Sequence, residues 1–115
     1  MDSFLQSEWI DYEVRDLVIP ARGVHLWQIR PSRVFVRYLN PAESLQYERI
    51  VNQEVKGSYG SAQGGLRRIV AFYTGCLPEE VDMCRERRGK PYVPDAPEFN
   101  LSHTAGRMFA AFSSS

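Results

Sequence analysis

A basic turn in the last third of the sequence contains residues suited to binding a phosphate. Residues 85–90 include four basic residues and one acidic residue, although acidic and basic residues cancel over the whole chain. Arg88 offers a guanidinium fork that matches phosphate, and Lys90 offers a mobile ammonium. Gly89 lets the backbone come close to a ligand. Because a local basic cluster can bind an anion in a neutral chain, this turn predicts either an anion cradle or a solvated hairpin.

Ser102 and His103 form a second group of candidate residues, in a short segment with the composition of a strand. The hydroxyl and the imidazole can both donate to a second phosphate. Adjacent strand residues point to opposite faces of a sheet, so the two side chains are not expected to act as a nucleophile and its base. The alternative for His103 is a structural histidine in a turn after a strand. We therefore predict no hydrolytic site here.

The composition favours one small globular domain spanning residues 1–115. Apolar residues make up 43% of the chain and charged residues 24%, with 14 basic and 14 acidic residues. This cancellation argues against a large surface for nucleic acid. No stretch approaches the roughly 18 apolar residues that a membrane helix needs, and the N-terminus lacks the pattern of a secretory signal. We expect a cytoplasmic protein with neither nucleic acid nor membrane as a partner.

No metal site is predicted from the residues. Cys76 and Cys84 lack the spacing of a zinc site, and no further cysteine completes one. We expect both to be free thiols in a reducing compartment, because intracellular disulfides are rare. Asp82 and Asp95 have no acidic partner at a spacing typical of metal ligands.

The elements that must position the candidate residues begin with a strand at Val24–Ile29, which alternates and is rich in β-forming residues. Residues 33–39 are apolar-rich and stay ambiguous between strand and loop. Asn40 and Glu43 have the spacing of a capping box, and the proline between them suits a first helical turn. The helix that starts there is predicted to run to about Val55.

Four glycines in residues 56–65 predict a loop, because each glycine weakens a helix by about 1 kcal/mol. Apolar spacing over residues 66–73 predicts a second helix that ends at Gly75. A turn or short helix, an extended segment and the basic turn follow. Two strands are predicted at residues 99–103 and 108–112. This order predicts an α+β fold, with antiparallel strands packed against one or two helices.

The basic turn and the strand with Ser102 and His103 belong to one longer pattern. Its residues are, in order, Gly89-Lys90-Pro91, a short gap with Val93-Pro94-Asp95, and Phe99-Asn100-Leu101-Ser102-His103-Thr104. This joint pattern resembles the first half of the 4'-phosphopantetheinyl transferases of the surfactin type. Their hallmark there is a Gly-Lys-Pro turn followed by Phe-Asn-(Leu/Ile)-Ser-His-(Ser/Thr).

The resemblance extends upstream with less specific motifs. Val24-His25-Leu26-Trp27 resembles the family's opening strand. Leu39-Asn40-Pro41-Ala42-Glu43 resembles its Leu-Ser-Pro-Glu-Glu helix start. Leu66-Arg67-Arg68, with Tyr73-Thr74-Gly75, resembles the long helix that follows. The similarity therefore covers the chain from about Val24 onward. Only the part from Lys90 to His103 is specific.

The resemblance implies both a fold and an activity. The family has two similar α+β halves about a pseudo-two-fold axis, with coenzyme A between them. The reaction moves phosphopantetheine from coenzyme A to a serine of an acyl or peptidyl carrier protein, while magnesium bridges the diphosphate. Such transferases serve fatty acid, polyketide or nonribosomal peptide biosynthesis. We therefore expect half of this fold, with coenzyme A as substrate and a carrier protein as partner.

The resemblance also assigns roles to individual residues. Lys90 and the backbone around Gly89 would hold the adenine and phosphate end of coenzyme A. Ser102 and His103 would contact its phosphates, His103 chiefly the 3'-phosphate. The full set of expected coenzyme A contacts is Arg88, Gly89, Lys90, Pro91, Ser102 and His103.

The sequence departs from the family at several points. In the family the magnesium ligands, an Asp-x-Glu, come soon after the strand that matches residues 108–112, and a Trp-x-x-Lys-Glu motif comes later. The sequence stops at Ser115, before both, so we expect the metal-binding half to be absent. No catalytic residue or metal ligand is assigned to this chain, which is expected to be inactive by itself. Glu43, Ser44 and Gln46 stand where the family often has basic residues. The glycine-rich residues 56–65 replace a stretch that is commonly rich in arginine.

Three hypotheses follow from these observations. The first is the N-terminal half of such a transferase, and the second is a degenerate half that binds a nucleotide, a carrier protein or another subunit without catalysis. The third is an unrelated small α+β interaction domain. The strand at residues 108–112 is apolar on both faces, which favours pairing with a second transferase half or self-association.

Overall fold

The computed structural model describes residues 14–18, 24–104 and 107–113. These residues belong to two compact units, Met1–Arg30 with Pro97–Ser115, and Pro31–Ala96. The N-terminal residues 1–13, for which no secretory signal is expected, lie outside the described residues. The same holds for Ala105 and Gly106, between the last two predicted strands.

The helices are grouped along the chain between two runs of strands, an order that is typical of an α+β fold. In chain order they are β1 (Val14–Val18), β2 (Val24–Ile29), a 3₁₀ helix (Arg33–Tyr38), α1 (Pro41–Arg49), α2 (Gln53–Thr74), a second 3₁₀ helix (Pro78–Glu80), β3 (Cys84–Arg85), β4 (Pro91–Tyr92), β5 (Phe99–Thr104) and β6 (Arg107–Ser113). The predicted α+β class with antiparallel strands is confirmed, as are the strands that correspond to β2, β5 and β6.

The first unit contains a four-stranded antiparallel sheet in the order β1-β2-β6-β5. Its register places one set of buried apolar residues on a common face: Trp27, Ile29, Phe99, Met108, Ala110 and Phe112. The ring centroids of Phe99 and Phe112 lie 4.9 Å apart. On the other face of β6, Phe109 and Ala111 are half-buried, so this strand is apolar on both faces, as its sequence indicates.

The predicted capping box at the start of α1 is confirmed. The Asn40 side chain accepts a hydrogen bond from the Glu43 N–H at 2.7 Å, and Glu43 Oε1 accepts one from the Asn40 N–H at 3.2 Å. The predicted helix end near Val55 is wrong, because α1 ends at Arg49. The cause is a second cap: the Asn52 side chain accepts from the Val55 N–H at 3.0 Å and starts a new helix.

The loop predicted for residues 56–65 is also wrong, because α2 runs through all four of its glycines. Two of these glycines let neighbouring segments approach the helix closely. A Cβ at Gly64 would lie 2.0 Å from the carbonyl oxygen of Phe35, and a Cβ at Gly60 would lie 2.9 Å from a ring carbon of Tyr47. This close packing offsets the low helix propensity of glycine. The predicted helix end at Gly75 is confirmed, with φ at 77°.

The sequence leaves residues 33–39 between strand and loop, but Arg33–Tyr38 form a 3₁₀ helix and Leu39 is its extended C-cap. The Ser32 hydroxyl caps this helix by accepting from the Val34 N–H at 3.2 Å. The Ser61 hydroxyl of α2 accepts from the Ser32 N–H at 2.7 Å and donates to the Ser32 carbonyl oxygen at 3.1 Å. Together with the fully buried Phe35, these bonds hold the segment against α2.

A buried ion pair joins three segments of the second unit. Arg67 of α2 is 1% exposed. Its Nε donates to Glu43 Oε1 at 2.5 Å, and its Nη2 donates to Glu43 Oε2 at 3.1 Å. Arg67 Nη1 donates to the carbonyl oxygens of Pro78 and Val81, both at 2.9 Å. One guanidinium therefore holds the start of α1, the middle of α2 and the segment that leads to β3.

The ionisation of Glu43 is coupled to this pair. Burial disfavours the charged carboxylate and acts to raise its pKa. Hydrogen bonds from Arg67, Gln63 and the Asn40 N–H, together with the Arg67 charge, outweigh burial and hold the pKa of Glu43 below its ordinary value of 4.5. A lowered folded pKa contributes stability above the unfolded pKa, and this contribution is lost as the pH falls through the folded pKa.

Substituting Gly64 tests the close packing of α2. We expect Gly64→Ala to lower the free energy of unfolding by about 1–3 kcal/mol, because the new Cβ overlaps a backbone oxygen. Gly57→Ala is the matched control, since a Cβ at Gly57 meets nothing within 4 Å. This control is expected to stabilise the helix by about 1 kcal/mol. Urea unfolding measures both variants, and stabilisation by both would contradict the packing.

Neutralising Glu43 tests the buried ion pair. We expect Glu43→Gln to lower the free energy of unfolding at pH 7 by about 3–5 kcal/mol, because it leaves the Arg67 charge buried without its counter-charge. We also expect the wild-type stability to fall more steeply than that of the variant as the pH drops below 4.5. Urea unfolding between pH 3 and 7 measures both effects.

The matched control for that experiment is Glu48→Gln, which removes an ion pair with Lys56 whose atoms lie 3.8 Å apart near the surface. It is expected to change the free energy of unfolding by less than about 1 kcal/mol. Parallel pH profiles for the wild type and Glu43→Gln would show that the pair does not link stability to pH.

Candidate functional site

The basic turn connects the two strands of a short hairpin. β3 pairs with β4 in antiparallel register, with Arg85 opposite Pro91. The Gly89 N–H donates to the Glu86 carbonyl oxygen and the Glu86 N–H donates to the Lys90 carbonyl oxygen, both at 2.8 Å. This hydrogen-bond pattern is that of a bulge with glycine at its first position. Gly89 has a φ of 92°, so the predicted tight turn is confirmed, and so is its need for glycine.

The turn also contains a side-chain hydrogen bond that the sequence does not reveal. Arg85 Nη1 donates to the Gly89 carbonyl oxygen at 2.9 Å. Arg87 and Arg88 are exposed and make no hydrogen bond within the described residues. The sequence shows only that Arg85 directly precedes the turn, and the structure places it opposite Pro91.

The residues with predicted coenzyme A contacts are divided between the two compact units. Arg88, Gly89, Lys90 and Pro91 lie in the hairpin of the second unit, where Arg88 and Gly89 are exposed and Lys90 and Pro91 are half-buried. A Cβ at Gly89 would meet nothing within 4 Å, so the backbone there is open to a ligand.

Ser102 and His103 lie on β5 of the first unit, and both are exposed. The register places His103 opposite Met108 and Ser102 opposite Phe109. His103 therefore shares the face of the sheet that holds the buried apolar residues, whereas Ser102 lies on the other face. Their opposite directions agree with the expectation that they do not form a nucleophile and its base. The convergence of Lys90 and His103 on one ligand stays a prediction.

Glu43 has a role that its sequence position does not show. It stands where the family often has a basic residue, and its carboxylate is occupied by Arg67, Gln63 and the Asn40 N–H. Its negative charge is therefore compensated within the unit. The sequence does not reveal this pairing, because it is a tertiary contact with Arg67 of a different helix.

The remaining features that could form a site are metal-binding groups, cysteines and a concavity. Among the described residues, no group of three or more His, Cys, Asp or Glu side chains could hold a metal ion. Cys76 and Cys84 are free, as expected. A shallow concavity of about 200 Å³ beside β5 is lined by Glu98, Asn100, Ala111, Phe112 and Ser113. It includes neither Ser102 nor His103.

Within residues 14–18, 24–104 and 107–113, no helix combines the length and the apolar character needed to cross a bilayer.

Comparison with known proteins gives one relative of defined activity. No family model matches the chain. The chain is similar to a 4'-phosphopantetheinyl transferase, which supports a relationship to that family. This relative is 4'-phosphopantetheinyl transferase HetI of Nostoc sp. (strain PCC 7120 / SAG 25.82 / UTEX 2576), with 29% identity over an alignment of 118 residues. The alignment covers 93% of this chain and 49% of the relative, so the chain spans about half the length of the curated relative that it matches.

Substituting Gly89 tests the conformation of the turn. We expect Gly89→Ala to lower the free energy of unfolding by about 1 kcal/mol, because a φ of 92° strains a residue with a Cβ. No clash contributes, since the space around a Cβ there is open. Gly89→Asn is the control, because asparagine tolerates positive φ better than alanine. Urea unfolding compares them, and equal stability of Gly89→Ala and wild type would contradict the turn geometry.

Proposed function

We propose that the chain is the coenzyme A-contacting half of a 4'-phosphopantetheinyl transferase of the surfactin type. The whole enzyme would move phosphopantetheine from coenzyme A to a serine of an acyl or peptidyl carrier protein. The observation that carries this proposal is the similarity to HetI, which extends over 93% of the chain and 49% of that transferase. The α+β architecture is compatible with half of the transferase fold, and residues 1–115 are proposed to act as that one half.

The hairpin turn is proposed to hold the adenine and phosphate end of coenzyme A. Arg88 and Lys90 supply positive charge, and phosphate is bound well by guanidinium and ammonium groups. Gly89 leaves the backbone open because no atom lies within 4 Å of its Cβ position. Pro91 begins β4 directly after the turn and limits its freedom.

Ser102 and His103 are proposed to contact different phosphate groups, because adjacent strand residues point to opposite faces. We assign the 3'-phosphate to His103 and another phosphate to Ser102. Glu43 does not oppose this assignment with an uncompensated negative charge, since Arg67 neutralises it.

The magnesium ion and the catalytic base are proposed to come from a second half. By the resemblance, the magnesium-binding acids follow the strand that matches β6, and no magnesium ligand or catalytic residue is assigned to this chain. When bound, magnesium would neutralise the diphosphate and the departing oxygen. The partners that follow are coenzyme A, a carrier protein, and either a second transferase half or another copy of the chain.

Coenzyme A binding by the chain tests this proposal. We expect saturable binding in calorimetry, and an about tenfold or larger loss of affinity in Lys90→Met, because a charged hydrogen bond to phosphate is lost. Arg33→Met is the matched control, since it removes one exposed charge from the same compact unit without touching the turn.

A second comparison isolates the role of His103. We expect the wild type to bind coenzyme A more tightly than dephospho-coenzyme A, and His103→Ala to reduce that preference. Equal affinity of the wild type for both compounds would remove the 3'-phosphate role. No binding of coenzyme A to the folded chain would instead favour a degenerate half or a small interaction domain.

A further inference from the structure

We infer that Arg85 is a positioning residue, which orients the Gly89–Lys90 peptide for the ligand of the basic turn. This inference rests on the proposed function, because the ligand is coenzyme A. The contact that carries it is the hydrogen bond from Arg85 Nη1 to the Gly89 carbonyl oxygen, at 2.9 Å. Arg85 lies outside the family motifs that this sequence matches.

The hairpin has few main-chain hydrogen bonds with which to hold its turn. β3 and β4 contain two residues each, and hairpins of this size are marginal by themselves. Glu86 and Lys90 form a hydrogen-bonded pair, so the neighbouring pair, Arg85 with Pro91, falls at a non-hydrogen-bonded position. The Arg85 side chain therefore adds a bond at a place where the main chain supplies none.

The bond from Arg85 sets the direction of one peptide plane. The described backbone has no cis peptide bond, so the Lys90 N–H points away from the Gly89 carbonyl oxygen. Holding that carbonyl toward Arg85 therefore fixes the direction of the Lys90 N–H and the start of the Lys90 side chain. Glycine at position 89 would otherwise allow this peptide to rotate more freely than any other residue would.

Arg85 is also close enough to α2 to affect one of its side chains. Burial and the negative charge of Glu43 raise the pKa of Tyr59, while the positive charges of Arg85 and Arg67 act in the opposite direction. Arg87 and Arg88, on the same turn, make no hydrogen bond within the described residues.

The first measurement concerns the turn without any ligand. We expect Arg85→Met to speed hydrogen exchange of the Glu86 and Gly89 amides about tenfold, because opening of the turn becomes easier. Arg87→Met is the matched control, which removes the same charge two residues away, and it is expected to leave both rates unchanged. Unchanged rates in Arg85→Met would overturn the inference whether or not coenzyme A binds.

The second measurement concerns the ligand. We expect Arg85→Met to weaken coenzyme A binding about tenfold in calorimetry, and Arg87→Met to weaken it about threefold or less through the loss of one exposed charge. If the wild type binds and the two variants lose the same affinity, Arg85 contributes only its charge and the inference fails. If the wild type does not bind, the proposed function fails, and with it any role of Arg85 toward coenzyme A.

A double-mutant cycle separates positioning from direct contact. Gly89→Ala disturbs the same turn without changing charge, so Arg85→Met should cost less affinity in the Gly89→Ala background than in the wild type. Fully additive losses would mean that Arg85 acts on the ligand independently of the turn, which would overturn the positioning role.

Discussion

The second compact unit depends on one buried charge that must be neutralised. Arg67 is 1% exposed, and a buried guanidinium is costly unless its charge is paired and its donors are satisfied. Glu43 supplies the charge, while the carbonyl oxygens of Pro78 and Val81 accept hydrogen bonds from Arg67 Nη1. Because those carbonyls belong to the segment before β3, the same arginine that ties the helices together also anchors the strand that leads into the basic turn.

Features set by near neighbours in sequence could be predicted, because local residues determine them. The capping box at Asn40 needs only Glu43, three residues away, and the turn at Gly89 needs only a residue that tolerates positive φ. The loop predicted from the glycines of α2 is wrong for the opposite reason. Their effect on helix propensity is local, whereas the close approach of Phe35 that favours them comes from a distant segment. The boundary between the two helices was missed because Asn52 competes as a second cap.

The same distinction holds for the candidate site. The conformations of the turn and of β5 follow from their own sequences, and with them the opposite directions of Ser102 and His103. The neutralisation of Glu43 by Arg67 does not follow from the local sequence, because the two residues lie in different helices. The hydrogen bond from Arg85 to Gly89 spans few residues, but composition alone does not distinguish Arg85 from the other arginines of the turn. Sequence thus indicates which groups can bind phosphate, and tertiary contacts decide which are available.

The central claim is the proposal that Gly89, Lys90, Ser102 and His103 all contact coenzyme A. Amide chemical shifts of the isotopically labelled chain, recorded while coenzyme A is added, test it directly. We expect the amides of Gly89, Lys90, Ser102 and His103 to shift together and to report one dissociation constant. Shifts confined to the hairpin or to β5, or no shifts at saturating coenzyme A, would contradict it.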